Sequence, residues 1–160
     1  MKTTHDPLIK DLDISKRLSF LFGAKLVRGA YMNSEPNRYF IHDTLVDAHN
    51  SYQKCINSFL PSIVSELSTN VSRTNELMIA THNVDSVLYV MNAMNQLNIP
   101  KKTDKIIFAQ LLGMADHITF SLAKEGYTSY KYVPFGSGDM VGPYLMRCLE
   151  ENTDVVEKSK

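Results

Sequence analysis

The 160-residue sequence has no excess charge of either sign, since 17 Lys and Arg balance 17 Asp and Glu. That balance removes the broad basic footprint with which a protein neutralises phosphates, so no nucleic-acid partner is expected. Nowhere does the chain approach the roughly 18 consecutive apolar residues that a bilayer span requires, and the segment from Met1 to Asp6 lacks the apolar run of a signal peptide. Cysteine is scarce as well. Cys55 and Cys148 make neither a metal cluster nor a disulfide framework, and a reducing compartment follows as the simpler assumption. What is present is 44% hydrophobic and 21% charged residues, the composition of an ordinary globular domain, which excludes collagen-like, mucin-like and disordered chains.

Hydrophobic periodicity divides the chain into alternating elements. Leu8, Leu12, Ile14, Leu18 and Leu21 fall at near-helical spacing over residues 6–20, and Gly23 ends that run. Ala24 to Arg28 is a short extended stretch closed by Gly29, and a polar loop follows through Asn37. Leu45, Ala48, Tyr52, Cys55, Ile56, Phe59, Ile63 and Leu67 predict helix over residues 44–67, with Pro61 expected to kink or divide it. Three further strand–helix pairs follow. Their strands are Glu76–Thr81, Ile106–Gln110 and Ser129–Val133, and the last helix covers residues 139–151. Strands alternating with helices in the order α(βα)₄ predict a parallel sheet built from right-handed crossovers. Four such units fit either a small doubly wound sheet or half of an eight-stranded (β/α) barrel of about 250 residues.

The strand ends carry the chemistry. Lys25 and Val27 share one face of the first strand, with Arg28 beyond its end and Gly29 where backbone can approach a ligand. Two cations there fit an anionic or electron-rich ligand. Thr81, His82 and Asn83 follow the second strand, where Thr81 or Asn83 also suits helix N-capping. Gly136 and Gly138 invite a dinucleotide-fingerprint reading, but Gly142 is one residue late for it, and a plain strand-to-helix turn is the better account. In the last helix Tyr144, Arg147, Cys148 and Glu151 form one stripe at i, i+3, i+4 and i+7, which serves either as a solvated face or as the wall of a polar pocket.

Five segments together resemble consecutive motifs of proline dehydrogenase: Lys25 to Tyr31, Ala80 to Asn83, Gln110 to Met114, Lys131 to Gly136, and Pro143 to Asn152. They occur in that family's order and with similar spacing over roughly residues 20–155, and the continuation from Met32 to Arg38 looks most like fungal mitochondrial members. The resemblance implies a distorted (β/α)₈ barrel of which this chain is the C-terminal half, strands five to eight with their helices and the final helix. On that reading residues 1–22 are the preceding helix, 23–152 four βα units and 153–160 a polar tail.

The activity implied is FAD-dependent oxidation of L-proline to 1-pyrroline-5-carboxylate, with electrons passed to quinone, in mitochondria and peripheral to the inner membrane. Lys25 matches the catalytic basic residue near the flavin N5, where a cation stabilises developing charge. Arg28, Gly29, Ala30, Thr81, His82, Gln110 and Glu151 match cofactor-binding positions, and Tyr31, Leu111, Tyr132, Tyr144, Arg147 and Cys148 match the substrate pocket. The chain departs from the family at Cys148, where a second arginine usually completes the carboxylate clamp. Its loss is expected to cost about 1.5–3 kcal/mol, or roughly 10- to 150-fold in substrate affinity. Early-strand residues that complete the site have no counterpart in this sequence, so the isolated chain is expected to bind no flavin. A hydroxyproline-specific enzyme and a non-catalytic remnant acting as a binding partner are the alternatives.

Overall fold

The computed structural model describes residues 1–29, 35–69 and 75–151, with side chains through Cys148. Helix α1 (His5–Leu18) leads into strand β1 (Gly23–Val27), and a 3-10 turn (Arg38–Phe40) precedes helix α2 (Leu45–Thr69). Then come β2 (Glu76–Ala80), α3 (Val84–Gln96), β3 (Ile106–Leu111), α4 (Asp116–Lys124), β4 (Ser129–Tyr132) and α5 (Gly138–Glu151). The expected α(βα)₄ order is the order found, with element ends shifted by a residue or two.

The strands form one parallel sheet in chain order, β1-β2-β3-β4. Register puts Leu26, Ile79 and Phe108 in one row, and Val27, Ala80, Ala109 and Tyr130 in the alternate row. Side chains alternate across a strand, so the two rows face opposite ways. The first row is buried in a core shared with Tyr52, Ile56, Phe59 and Ile63 of α2, Val90 and Met94 of α3, and Ile118 and Leu122 of α4. The other face is open at its outer strands, where Val27 is 47% exposed and Tyr130 52%, while Ile107 and Ala109 at its middle are buried.

Two expectations from the sequence are corrected. Helix α2 runs unbroken through Pro61. Pro61 is exposed, and Phe59, Leu60 and Ile63 around it are sealed in the core, so the helix is not divided there. In α1 the buried stripe is Leu8, Leu12 and Ser15, whereas Ile14 and Leu18 are exposed. At 3.6 residues per turn those two fall roughly 90–130° around the helix from the stripe.

At α3 the side chain of Asn83 accepts from the Ser86 N–H at 2.9 Å and from the Ser86 hydroxyl at 2.9 Å, which identifies Asn83 as the N-cap. Asn83→Ala is expected to destabilise the chain by about 0.5–2 kcal/mol, the usual cost of losing such a cap. A thermal midpoint that does not fall on calorimetry would contradict this.

Candidate functional site

Strands β1 and β4 and the middle of α5 meet on the open face. On a flat sheet β1 and β4 would lie about 14 Å apart, three strand spacings. Lys25 Nζ nevertheless sits 5.2 Å from the centre of the Tyr132 ring. The side chains of the two outer strands thus reach toward each other over the open face and make a shallow concavity of it. The Tyr132 ring is in turn 6.3 Å from that of Tyr144, and Arg147 Cζ lies 5.6 Å from the Tyr144 ring centre. Two cations from different ends of the chain thus bracket a pair of tyrosines, each cation over a π-face that attracts it.

Burial first, and then the neighbouring Cys148 and Tyr132, push the Tyr144 phenol above its ordinary value of 10.0. Tyr144 therefore stays protonated near neutral pH and keeps a proton to donate. Arg147 is exposed on the concave side, whereas Cys148 is 8% exposed and packed beside Tyr144. The position that departs from the family pattern is thus a buried thiol.

At the end of β1 the backbone of Arg28 continues the pairing, its N–H donating to the Ala80 carbonyl at 3.3 Å. Its guanidinium lies near the Tyr52 phenol. Burial pushes that phenol up, the guanidinium opposes the shift, and the hydroxyl donates to the Leu26 carbonyl at 3.1 Å. The Arg28 Nε–H is buried and has no acceptor among the described residues. Gly29 follows with φ +79°, a left-handed conformation that a side chain would strain. A buried donor lacking an acceptor, beside a glycine turn and an exposed ammonium at Lys25, fits an anionic or electron-rich cofactor such as FAD.

The other predicted cofactor positions are engaged differently. Thr81 is buried, and its hydroxyl accepts from the Asn83 N–H at 3.1 Å. Gln110 lies on the helix-facing side of β3, 2% exposed, where its carbonyl accepts from the Thr119 hydroxyl at 2.8 Å and its amide donates to the Thr81 carbonyl. His82 Nε2 accepts from the Leu111 N–H at 3.1 Å, so that nitrogen is unprotonated and the ring proton sits on Nδ1. Leu111 stands on the concave face opposite Tyr132. Ala30, Tyr31 and the side chain of Glu151 lie outside the described residues.

Sequence reasoning missed Lys131 as a site residue. Its ammonium donates to the carbonyls of Leu111 and Met114 and pairs with Asp116. The signal was strand parity: Lys131 occupies a helix-facing position in β4, where a charge needs partners.

Residues 1–160 match the sequence model of the proline dehydrogenase family. The chain is 36% identical over 168 residues to Proline dehydrogenase 1, mitochondrial, of Drosophila melanogaster, covering 100% of this chain and 25% of that protein. It is 38% identical over 165 residues to hydroxyproline dehydrogenase of Xenopus laevis, covering 98% of this chain and 34% of that protein. Among solved structures, that of proline utilization A from Bdellovibrio bacteriovorus, inactivated by N-propargylglycine, matches with a TM-score of 0.75 and 27% identity over 91% of this chain and 15% of that one. The chain therefore spans about a quarter to a third of the curated relatives it matches.

Proposed function

The chain belongs to the proline dehydrogenase family, and from that premise we propose that it supplies strands five to eight and the final helix of a distorted (β/α)₈ barrel that oxidises L-proline to 1-pyrroline-5-carboxylate. The observation that carries this reading is the Lys25–Tyr132–Tyr144–Arg147 cluster on a concave parallel sheet. It joins β1, β4 and α5 at the strand C-termini, where barrels of this class hold their sites.

FAD, when bound, supplies the two-electron acceptor, with quinone as the onward acceptor. Arg28 and Gly29 would hold it, and Lys25 would stabilise negative charge on it. Arg147 pairs with the substrate carboxylate, a charge-assisted contact made on one side only because Cys148 replaces the second arginine. Leu111, Tyr132 and Tyr144 wall the pyrrolidine ring, and the protonated Tyr144 donates rather than repels. Oxidation to hydroxypyrroline carboxylate is the second reading, favoured by identity to a hydroxyproline dehydrogenase as high as that to a proline dehydrogenase. The relatives' names support a mitochondrial setting.

The test is a graft in which residues 1–160 replace the matching stretch of the Drosophila relative. The grafted barrel is expected to retain flavin and to be reduced by proline faster than by hydroxyproline, while the isolated chain carries none. Flavin retention with no reduction by either substrate would overturn the functional reading. A yellow, proline-reducible preparation of the isolated chain would overturn the half-site.

A further inference from the structure

The turn between β3 and α4 is poorly fixed by its own sequence. Gly113 has φ +77°, and Ala115, the N-cap of α4, has φ +51° with no side-chain cap. Left-handed alanine is unfavourable, and alanine cannot satisfy the first N–H groups of a helix. Something outside the turn must hold it.

Lys131 spans it. From β4 its Nζ reaches the Met114 carbonyl at 2.6 Å and the Leu111 carbonyl at 3.3 Å, and it pairs with the Asp116 carboxylate. Three acceptors match the three protons of an ammonium and tie both ends of the turn to one point. The other side of Leu111 is held by His82, which takes its N–H at 3.1 Å. Leu112 donates to the Tyr132 carbonyl at 3.0 Å, and Met114 to the Leu111 carbonyl at 3.1 Å. Leu111 is thus clamped through its carbonyl by Lys131 and through its amide by His82, while its side chain stands opposite Tyr132 on the concave face.

We infer that Lys131, with Asp116, is a positioning residue that sets the place of Leu111 against Tyr132 and so the fit of the cyclic amino acid. The ion pair by itself explains little, because Asp116 is half-exposed and such pairs contribute weakly. The two carbonyl contacts give the ammonium its geometric role, and an apolar residue cannot replace them. This assignment rests on the pocket proposed above, but the clamp can be tested separately from it.

Residue-resolved amide exchange by NMR on the 160-residue chain reads how firmly the turn is closed, through the Leu111 N–H held by His82 and the Met114 N–H held by the Leu111 carbonyl. Lys131→Met is expected to speed exchange at Leu111 and Met114 by roughly tenfold or more, the equivalent of losing a charged hydrogen bond. Ile79 and Phe108 should be unchanged, and Lys131→Arg, which keeps donors for the carbonyls, should restore most of the protection. Unchanged exchange at Leu111 and Met114 would overturn the clamp. Should Lys131→Met unfold the chain, the milder Lys131→Gln decides, since its shorter amide cannot hold both carbonyls: faster exchange confined to the turn supports the clamp, and none overturns it.

In the grafted barrel Lys131→Met is expected to raise the KM for proline about tenfold, while kcat and flavin content hold and Lys131→Arg rescues. A loosened turn with an unaltered KM would overturn the positioning role. A graft whose wild-type form never oxidises proline would instead sink the functional reading, with amide exchange still deciding the clamp.

Discussion

Replacing Arg147 with alanine in the grafted barrel is expected to raise the KM for proline by roughly 10- to 150-fold, the equivalent of about 1.5–3 kcal/mol for a hydrogen bond to a charged group. The effect should fall on KM rather than kcat, because the carboxylate is held equally in the ground state and in the transition state. Arg147 is exposed on the concave face and stacked 5.6 Å from the Tyr144 ring. Cys148 is 8% exposed and cannot share the work, so no second cation at that position softens the loss. Proline methyl ester provides the control, since it lacks the negative charge and should barely distinguish wild type from Arg147→Ala. Equal losses with both substrates would show that Arg147 acts on something other than the carboxylate.

The second large effect is on stability. Phe108→Ala should destabilise the isolated chain by about 3–5 kcal/mol, the range for deleting a buried phenyl group. Phe108 has no exposed surface, and its ring meets Tyr127 edge-on at 5.7 Å. Against a typical net stability of about 5–15 kcal/mol, this takes about a fifth or more of what holds the fold. The contrast is Val27→Ala on the other face. That side chain is 47% exposed, and its truncation should change stability by about 0.5 kcal/mol or less. Urea unfolding reads both. A similar loss at the two positions would mean that the concave face is packed in solution, by self-association for example, and concentration dependence would reveal it.

The fold was legible because periodicity reports burial. The run from Ile106 to Gln110 is apolar almost throughout, and those five residues are buried. Pro61 misled because its ring faces solvent, where the lost hydrogen bond matters less than the packed residues flanking it. In α1 counting apolar residues put Ile14 with Leu8 and Leu12, although the angles around the helix separate them. The site was legible in its parts. Lys25, Tyr132, Tyr144 and Arg147 could each be named from a strand end or a helix stripe, but the contact between Lys25 and Tyr132 joins the first strand of the sheet to the fourth, a pairing that no local pattern encodes. Gln110 and Thr81 are a second such case. Parity sets Gln110 beside Phe108 on the helix side, but that its amide oxygen accepts from Thr119 and its nitrogen donates to the Thr81 carbonyl depends on tertiary packing.

Strand order equal to chain order has a consequence for how the molecule forms. Each strand pairs with the one laid down just before it, so no step waits for a distant segment of chain to return. Parallel sheets are slow to fold when their pairings are remote in sequence; here every ladder closes across a single crossover. β1 and β2 can associate as soon as α2 packs its Phe59 and Ile63 against them, and each later unit adds to an existing edge. During synthesis the sheet can therefore grow from the N-terminal side at the pace of the ribosome, with β4 docking last and bringing Tyr132 over Lys25.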